Sequence, residues 1–254
     1  MIELNGRKLA AEMKERQRAE VAELGRSPRL LILRDNAGEV ISKYVGLKKK
    51  YGEEIGVEVL DKIVSGEEMR EVISKSEADG IIVQLPLLHT DNSILNEIPI
   101  EKDVDGLRGA RPTATAMAID ELLRGYNIEL SGKKIAVVGR GKLVGEPLMR
   151  MWEERGLEVT VFHRGSDLTK LKLFDIIMSA TGQPRLILGS FVKPGAVVVD
   201  AGTASEGGVI VGDVDESVRE RRDLFAITPR VGGVGPMTVA CLFQNVILAA
   251  KRKA

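Results

Sequence analysis

Four apolar residues, Ile135 to Val138, lead into a turn carrying Gly139, Gly141 and Gly145, and Leu148 to Glu154 then reads as the first turns of a helix. A buried strand, a glycine turn and a helix N-terminus in that order form the unit whose backbone N–H groups can hold a dinucleotide pyrophosphate. The glycine spacing departs from G-x-G-x-x-G by one residue, so the turn alone is a weak signal, but its setting strengthens it. Arg140, Val144 and Pro147 share this turn. The strand that follows, Glu158 to Phe162, ends at His163-Arg164 instead of at the acidic residue that would bind a ribose 2′-hydroxyl. Arg164 and Arg140 can instead hold a 2′-phosphate, which favours NADP over NAD; the competing reading is two solvated surface arginines.

The same alternation continues on both sides. Strand 134–138, helix 146–155, strand 158–162, a short helix or turn near 167–173, and strands 176–180, 196–200 and 225–228 have the rhythm of a Rossmann unit. Upstream, helix 7–25, strand 29–33, helix 40–55 ending near Gly56, strand 57–63, helix 67–78 and strand 81–86 predict a separate open α/β layer. Residues 89–111 break the pattern and read as a domain boundary or a functional loop, and 114–124 reads as a linking helix. The expected fold is therefore α/β in two domains, an N-terminal α/β substrate domain over 1–112 and a Rossmann domain over 113–235. The tail passes through Gly232 to Thr238 into an apolar helix ending at Lys251-Arg252-Lys253.

Composition narrows the function. The 254 residues carry 37 basic and 37 acidic side chains, so no global field favours nucleic acid or an anionic membrane. No apolar run approaches the roughly 20 residues of a membrane span, and the start lacks a signal-peptide core, which reads as cytoplasmic. Cys241 is the single cysteine and reads as a buried small hydrophobe. His89 and His163 are too isolated for a metal centre, so no metal is expected.

Chemistry is more legible in the N-terminal half. Tyr44 and Lys48 are four apart on a predicted helix and share one face; a lysine there can have its pKa moved toward neutrality by burial and exchange protons with a substrate. Alone, such a pair is more often amphipathic packing with the amine in water. Gln84 lifts it, a polar residue ending an apolar strand at the edge where open α/β sheets bind ligands. Asp105 can accept hydrogen bonds from an amino-heterocycle, against a loop-capping role shared with Asp103.

Five segments in register, Tyr44-Val45-x-x-Lys48, Gly80 to Leu87, Lys102-Asp103-Val104-Asp105-Gly106, Val138 to Pro147 and Gly232 to Thr238, together resemble the bifunctional methylenetetrahydrofolate dehydrogenase/methenyltetrahydrofolate cyclohydrolase family over nearly the whole chain. The resemblance implies NADP-dependent oxidation of 5,10-methylenetetrahydrofolate to the methenyl cation, then hydrolysis to 10-formyltetrahydrofolate, a reaction pair of one-carbon metabolism and purine biosynthesis. It implies Lys48 as the proton-transfer residue, Gln84 as its hydrogen-bond partner, Tyr44 on the pterin region and Asp105 on the pterin amino groups. Folate contacts are implied for Leu85, Pro86, Gly233, Pro236 and Thr238. Cofactor contacts are implied for Ala180, Thr181, Gly182, Thr203 and Gly235 beside the turn residues, His163 and Arg164. A cleft between the domains, a final helix 236–254 packed back on the first domain and a homodimer are implied too. Gly141 stands where the family usually has serine, Ala114-Thr115-Ala116 where Cys-Thr-Pro is usual, and Arg230-Val231 where Val-Pro is common. Two rival readings are a shikimate-like NADP dehydrogenase of a small hydroxy acid and a non-catalytic NADP-sensing protein.

Overall fold

The computed structural model describes residues 1–206 and 209–252. In chain order the elements are β1 (Ile2–Glu3), α1 (Gly6–Glu23), β2 (Arg29–Arg34), α2 (Glu39–Ile55), β3 (Glu58–Ile63), α3 (Gly66–Lys75), β4 (Gly80–Val83), α4 (Ala114–Gly125), β5 (Ile135–Val138), α5 (Gly145–Glu154), β6 (Val159–Phe162), β7 (Ile176–Ser179), β8 (Val197–Asp200), β9 (Ala204–Glu206), β10 (Val209–Val211), α6 (Glu216–Arg219), β11 (Ala226–Ile227) and α7 (Val234–Lys251). They form two units, one of residues 11–114 and 239 onward, the other of residues 1–10 and 115–238.

The first unit is built on a parallel sheet in the order β3-β2-β4. All four residues of β4 are buried although it is an edge strand, its open side bridged at Ile81 by Asp103. Met69 and Ile73 of α3 pack with Leu31, Leu33, Ile81 and Val83 into one core. α2 ends where expected, at Gly56, which adopts the left-handed conformation with φ 83°. β4 is shorter than expected: Gln84 N still donates to Leu33 O, but Pro86 has no N–H and the chain turns away. The loose stretch 89–111 contains two 3-10 helices, Asn92–Glu97 and Ile100–Lys102, the first capped by Asp91 accepting from Ser93 N at 2.8 Å. Ile94 and Ile98 drop into the core from this stretch, an anchoring that its prolines and charges conceal.

The C-terminal part of α7 belongs to this unit. Gln17 Nε2 donates to Ala240 O at 2.8 Å, Tyr51 stacks on Phe243 with ring centroids 5.0 Å apart, and Asn245 Nδ2 donates to Val104 O at 2.8 Å. Contrary to the sequence expectation, α7 is long and apolar enough to cross a membrane, with mean hydropathy 1.3 over 18 residues, although 61% of that stretch is buried within the protein. α7 begins at Val234, two residues before the expected 236, and Pro236 in its first turn sacrifices no intrahelical bond. Lys253 and the end of the expected 236–254 helix lie outside the described residues.

The second unit is a six-stranded parallel sheet in the order β1-β11-β8-β7-β5-β6. Ala136, Val138, Ile177, Val198 and Ile227 face a core with Phe162, Leu171 and Val218. α5 is fixed by its fully buried Trp152, whose Nε1 donates to Asp120 of α4 at 2.8 Å. Residues 1–10, expected within the 1–112 domain, sit in this unit instead. Ile2 pairs with Ala226, Leu4 N donates to Ile227 O at 2.8 Å, and Arg7 N donates to Gly232 O at 3.0 Å. Two paired residues leave no periodic trace, so β1 is visible only through its partner. The antiparallel β9–β10 hairpin and α6 were likewise not expected.

Candidate functional site

In the first unit the polar residues gather at the C-terminal end of β4. α2 buries Ile41, Val45 and Ile55, which leaves Tyr44 38% exposed and Lys48 half-buried. Lys48 Nζ donates to Gln84 Oε1 at 2.6 Å, and Gln84 Nε2 donates to Leu85 O at 3.0 Å, which turns the amide oxygen to the lysine. Burial pushes the Lys48 ammonium below the ordinary lysine value, and the charge of Asp105 works against that shift. Burial pushes the Asp105 carboxyl up, Lys48 opposes this, and Asp103 adds to it. Both shifts favour the uncharged forms, and in each the charge of the other group opposes the effect of burial.

The two aspartates are held differently. Asp103 is buried and accepts from Gly106 N at 3.0 Å, Leu107 N at 3.3 Å and Arg108 N at 2.8 Å. A bridge between Asp103 and Ile81 lays this loop along β4, and Gly106, with φ 76°, leaves no room for a side chain because a Cβ would sit 2.6 Å from Pro112 O. Asp103 thus does the capping, and Asp105 is the carboxyl that acts on Lys48. Tyr51, whose buried hydroxyl donates to Gln17 Oε1, stays out of the site, and Cys241 is buried.

Sequence reasoning missed Asp35 and Asn36, read there as part of a turn. The Asp35 carboxylate accepts from Leu88 N at 2.9 Å and His89 N at 2.7 Å, and Asn36 Nδ2 donates to Pro86 O at 3.1 Å. Burial works against the Asp35 charge, but those backbone N–H groups hold its pKa below the usual carboxylate value. The pair fixes the loop that carries Leu85, half-buried, and Pro86, exposed. A buried acid directly after β2 was the available signal, and burial cannot be read from its neighbours.

In the second unit the glycine turn joins β5 to α5 as expected. Gly139 has φ 101°, and a Cβ there would lie 2.7 Å from Ala180 O; a Cβ on Gly145 would run into Gly139 O. Gly141 is different, exposed with open space where a side chain would go. Its carbonyl accepts from Val144 N and Glu146 N, closing the start of α5, whose first turn contains Pro147. Gly139 N donates to Phe162 O at 2.8 Å, which sets the turn beside exposed His163 and Arg164 at the end of β6. Arg140 is also exposed. Ala180 N donates to Val138 O, so Ala180-Thr181-Gly182 follows β7 along the same edge, and Thr203 lies exposed beyond β8.

The Gly232 to Thr238 stretch is more enclosed than a contact loop would be. Gly233 is buried, with Thr228 3.0 Å from where its Cβ would stand, and Thr238 Oγ1 donates to Val234 O in its own helix at 3.2 Å. Gly235 is exposed and Pro236 half-buried.

Two family models match the chain: tetrahydrofolate dehydrogenase/cyclohydrolase, catalytic domain, over residues 4–105, and the NAD(P)-binding domain of the same family over residues 113–254. The bifunctional protein FolD of Halothermothrix orenii is 38% identical, the match covering 98% of this chain and 97% of that protein. A crystal structure of the bifunctional FolD methylenetetrahydrofolate dehydrogenase/cyclohydrolase from Campylobacter jejuni superposes with a TM-score of 0.93 at 33% identity, covering all of both chains. The FolD of Trypanosoma brucei, solved with NADP cofactor and inhibitor, gives 0.91 at 33% identity over 100% of this chain and 98% of that one.

Proposed function

The chain belongs to the tetrahydrofolate dehydrogenase/cyclohydrolase family, and from that premise we propose which of its residues carry each reaction. It oxidises 5,10-methylenetetrahydrofolate with NADP and hydrolyses the 5,10-methenyl product to 10-formyltetrahydrofolate. The observation that supports the assignment best is the half-buried Lys48 held at 2.6 Å by Gln84, with Asp105 acting on its charge.

Hydrolysis of a cationic methenyl group needs a base that does not repel it. Lys48 meets that need once its proton is lost, because a neutral amine beside the cation carries no charge of its own. Water adds to the methenyl carbon and Lys48 Nζ takes its proton. That proton passes to the ring nitrogen as the carbon–nitrogen bond opens, and the remaining hydroxyl proton leaves to solvent as the formyl C=O forms. Gln84 holds Nζ in place, Tyr44 packs on the pterin region, Asp105 binds the pterin amino groups, and Leu85 and Pro86 line the folate.

The second unit fits a dinucleotide. Both Gly139 and Gly145 leave spaces that a Cβ would fill, at the C-terminal edge of a parallel sheet and the start of a helix. Gly139, Arg140, Gly141, Val144, Gly145 and Pro147 hold the pyrophosphate side. His163 and Arg164 meet the adenosine side, and Ala180, Thr181, Gly182, Thr203 and Gly235 frame the nicotinamide. Bound NADP supplies the hydride acceptor. Gly233, Pro236 and Thr238 act toward the folate through backbone and ring, since the Thr238 hydroxyl already serves its helix. A cytoplasmic homodimer serving purine biosynthesis completes the proposal by analogy with the family.

Two results test it. The Lys48 Cε resonance, followed by NMR, should titrate with a midpoint below the ordinary lysine value, so the neutral base is more populated at any pH below that value. Asp105→Asn removes the charge that opposes the shift and should move the midpoint lower still; a midpoint at the ordinary lysine value would remove Lys48 from the base role. Arg164→Ser should weaken NADP binding about tenfold, the effect of one charge-assisted hydrogen bond, and NAD binding little. Equal losses for both cofactors would place Arg164 away from the 2′-phosphate.

A further inference from the structure

Beneath the second unit's glycine turn lies a pair of aspartates that no sequence motif had singled out. Asp200, at the end of β8, accepts from Gly202 N at 3.1 Å, Asp213 N at 3.0 Å, Val214 N at 3.2 Å and Arg219 Nη2 at 2.6 Å. It is a saturated carboxylate. Asp213 is only 1% exposed, and its Oδ2 accepts from Ser179 Oγ at 2.8 Å and Thr181 N at 2.6 Å. Among the described residues nothing donates to its buried Oδ1. That oxygen occupies the space a side chain on Gly202 would fill, just as Asp200 Oδ2 occupies the space a side chain on Gly212 would fill.

A buried carboxylate oxygen without a donor is costly, so a fold that keeps one gains elsewhere from the carboxylate's position. Here the other oxygen ties down Thr181 N. Thr181 Cγ2 and Ala180 O lie 3.1 and 2.7 Å from where a Cβ on Gly139 would be, so the loop after β7 is the floor of the glycine turn. The loop after β8 is pinned by Asp200 at Gly202 N and presses on Asp213 Oδ1.

We propose that Asp213 is a positioning residue for the dinucleotide, its buried carboxylate bracing the loops after β7 and β8 on which the glycine turn and the nicotinamide rest. The inference rests on the reading that these loops frame NADP. It needs no contact between Asp213 and the cofactor, and it assigns the residue no part in hydrolysis at Lys48.

The test uses the full-length enzyme and two readouts, NADP affinity by calorimetry and hydrolysis of methenyltetrahydrofolate without NADP. Asp213→Ala should weaken NADP about tenfold, the effect of losing a hydrogen bond to a charged acceptor, and leave hydrolysis within about twofold. Asp213→Asn keeps an acceptor for Thr181 N and should recover affinity to within about threefold of the parent. Ser179→Ala removes the other bond that orients the carboxylate while Thr181 N keeps its acceptor, and should cost about threefold in NADP affinity alone. Unchanged affinity in Asp213→Ala, or in Ser179→Ala should Asp213→Ala not fold, overturns the proposal, as does a parallel fall of hydrolysis and affinity. The parent enzyme's own affinity for NADP tests the underlying reading, and the ratio of variant to parent tests Asp213.

Discussion

Lys48→Met lowers methenyltetrahydrofolate hydrolysis by about 10²–10⁴-fold, the range spanned by general acid–base catalysis, and leaves NADP affinity within about twofold. Methionine preserves the length and apolar stem of lysine, so α2 keeps its packing on β3 while the proton carrier is gone. Gln84 then loses the donor to its Oε1 but keeps its own bond to Leu85 O, so the loop stays in place. Asp105 loses the neighbouring positive charge that held its pKa down and becomes harder to ionise. Hydrolysis at the parental rate in this variant would mean that another group moves the proton.

Gly145→Ala produces the complementary loss, weakening NADP about 10–100-fold, the equivalent of the strain that overpacking a closed site creates. The added methyl would run into Gly139 O, and Gly139 is held on its other side by the bond from its N–H to Phe162 O at 2.8 Å. The turn must open, and the spacing of its N–H groups opens with it. Gly141→Ser is the matched control: open space surrounds that position, so its NADP affinity should stay within about threefold of the parent's. Calorimetric titration of both variants with NADP distinguishes a steric requirement from a general intolerance of substitution in the loop.

The three glycines show what a sequence can carry. Their order after an apolar strand marks the turn, yet nothing in Gly-Arg-Gly-Lys-Leu-Val-Gly says that two are sterically obligatory and one is free. For Gly139 the constraint comes from Ala180, about forty residues away, and for Gly145 from Gly139 O, brought onto it by the fold of the turn. Asp103 and Asp105 pose the same problem at closer range. Two aspartates separated by one valine have nearly identical local contexts, and only the bridge to Ile81 turns one into a cap. Tyr44, Lys48 and Gln84 were readable because helical spacing and a strand end are local properties. Asp35, Asp200 and Asp213 were not, because each acts on backbone N–H groups brought to it by the sheet. β1 escaped for a related reason: its two residues are a strand only because β11 lies alongside.

The central claim is that one chain divides its chemistry between two sets of residues, Lys48 with its partners for hydrolysis and the Gly139 to Gly145 turn for the dinucleotide. The most direct measurement is the rate of methenyltetrahydrofolate hydrolysis without NADP, followed by loss of methenyl absorbance, in Lys48→Met and Gly145→Ala beside the parent. The account predicts that Gly145→Ala hydrolyses the substrate within about twofold of the parental rate while Lys48→Met falls by about 10²-fold or more. Equal rates in the two variants, whether both high or both low, would contradict it.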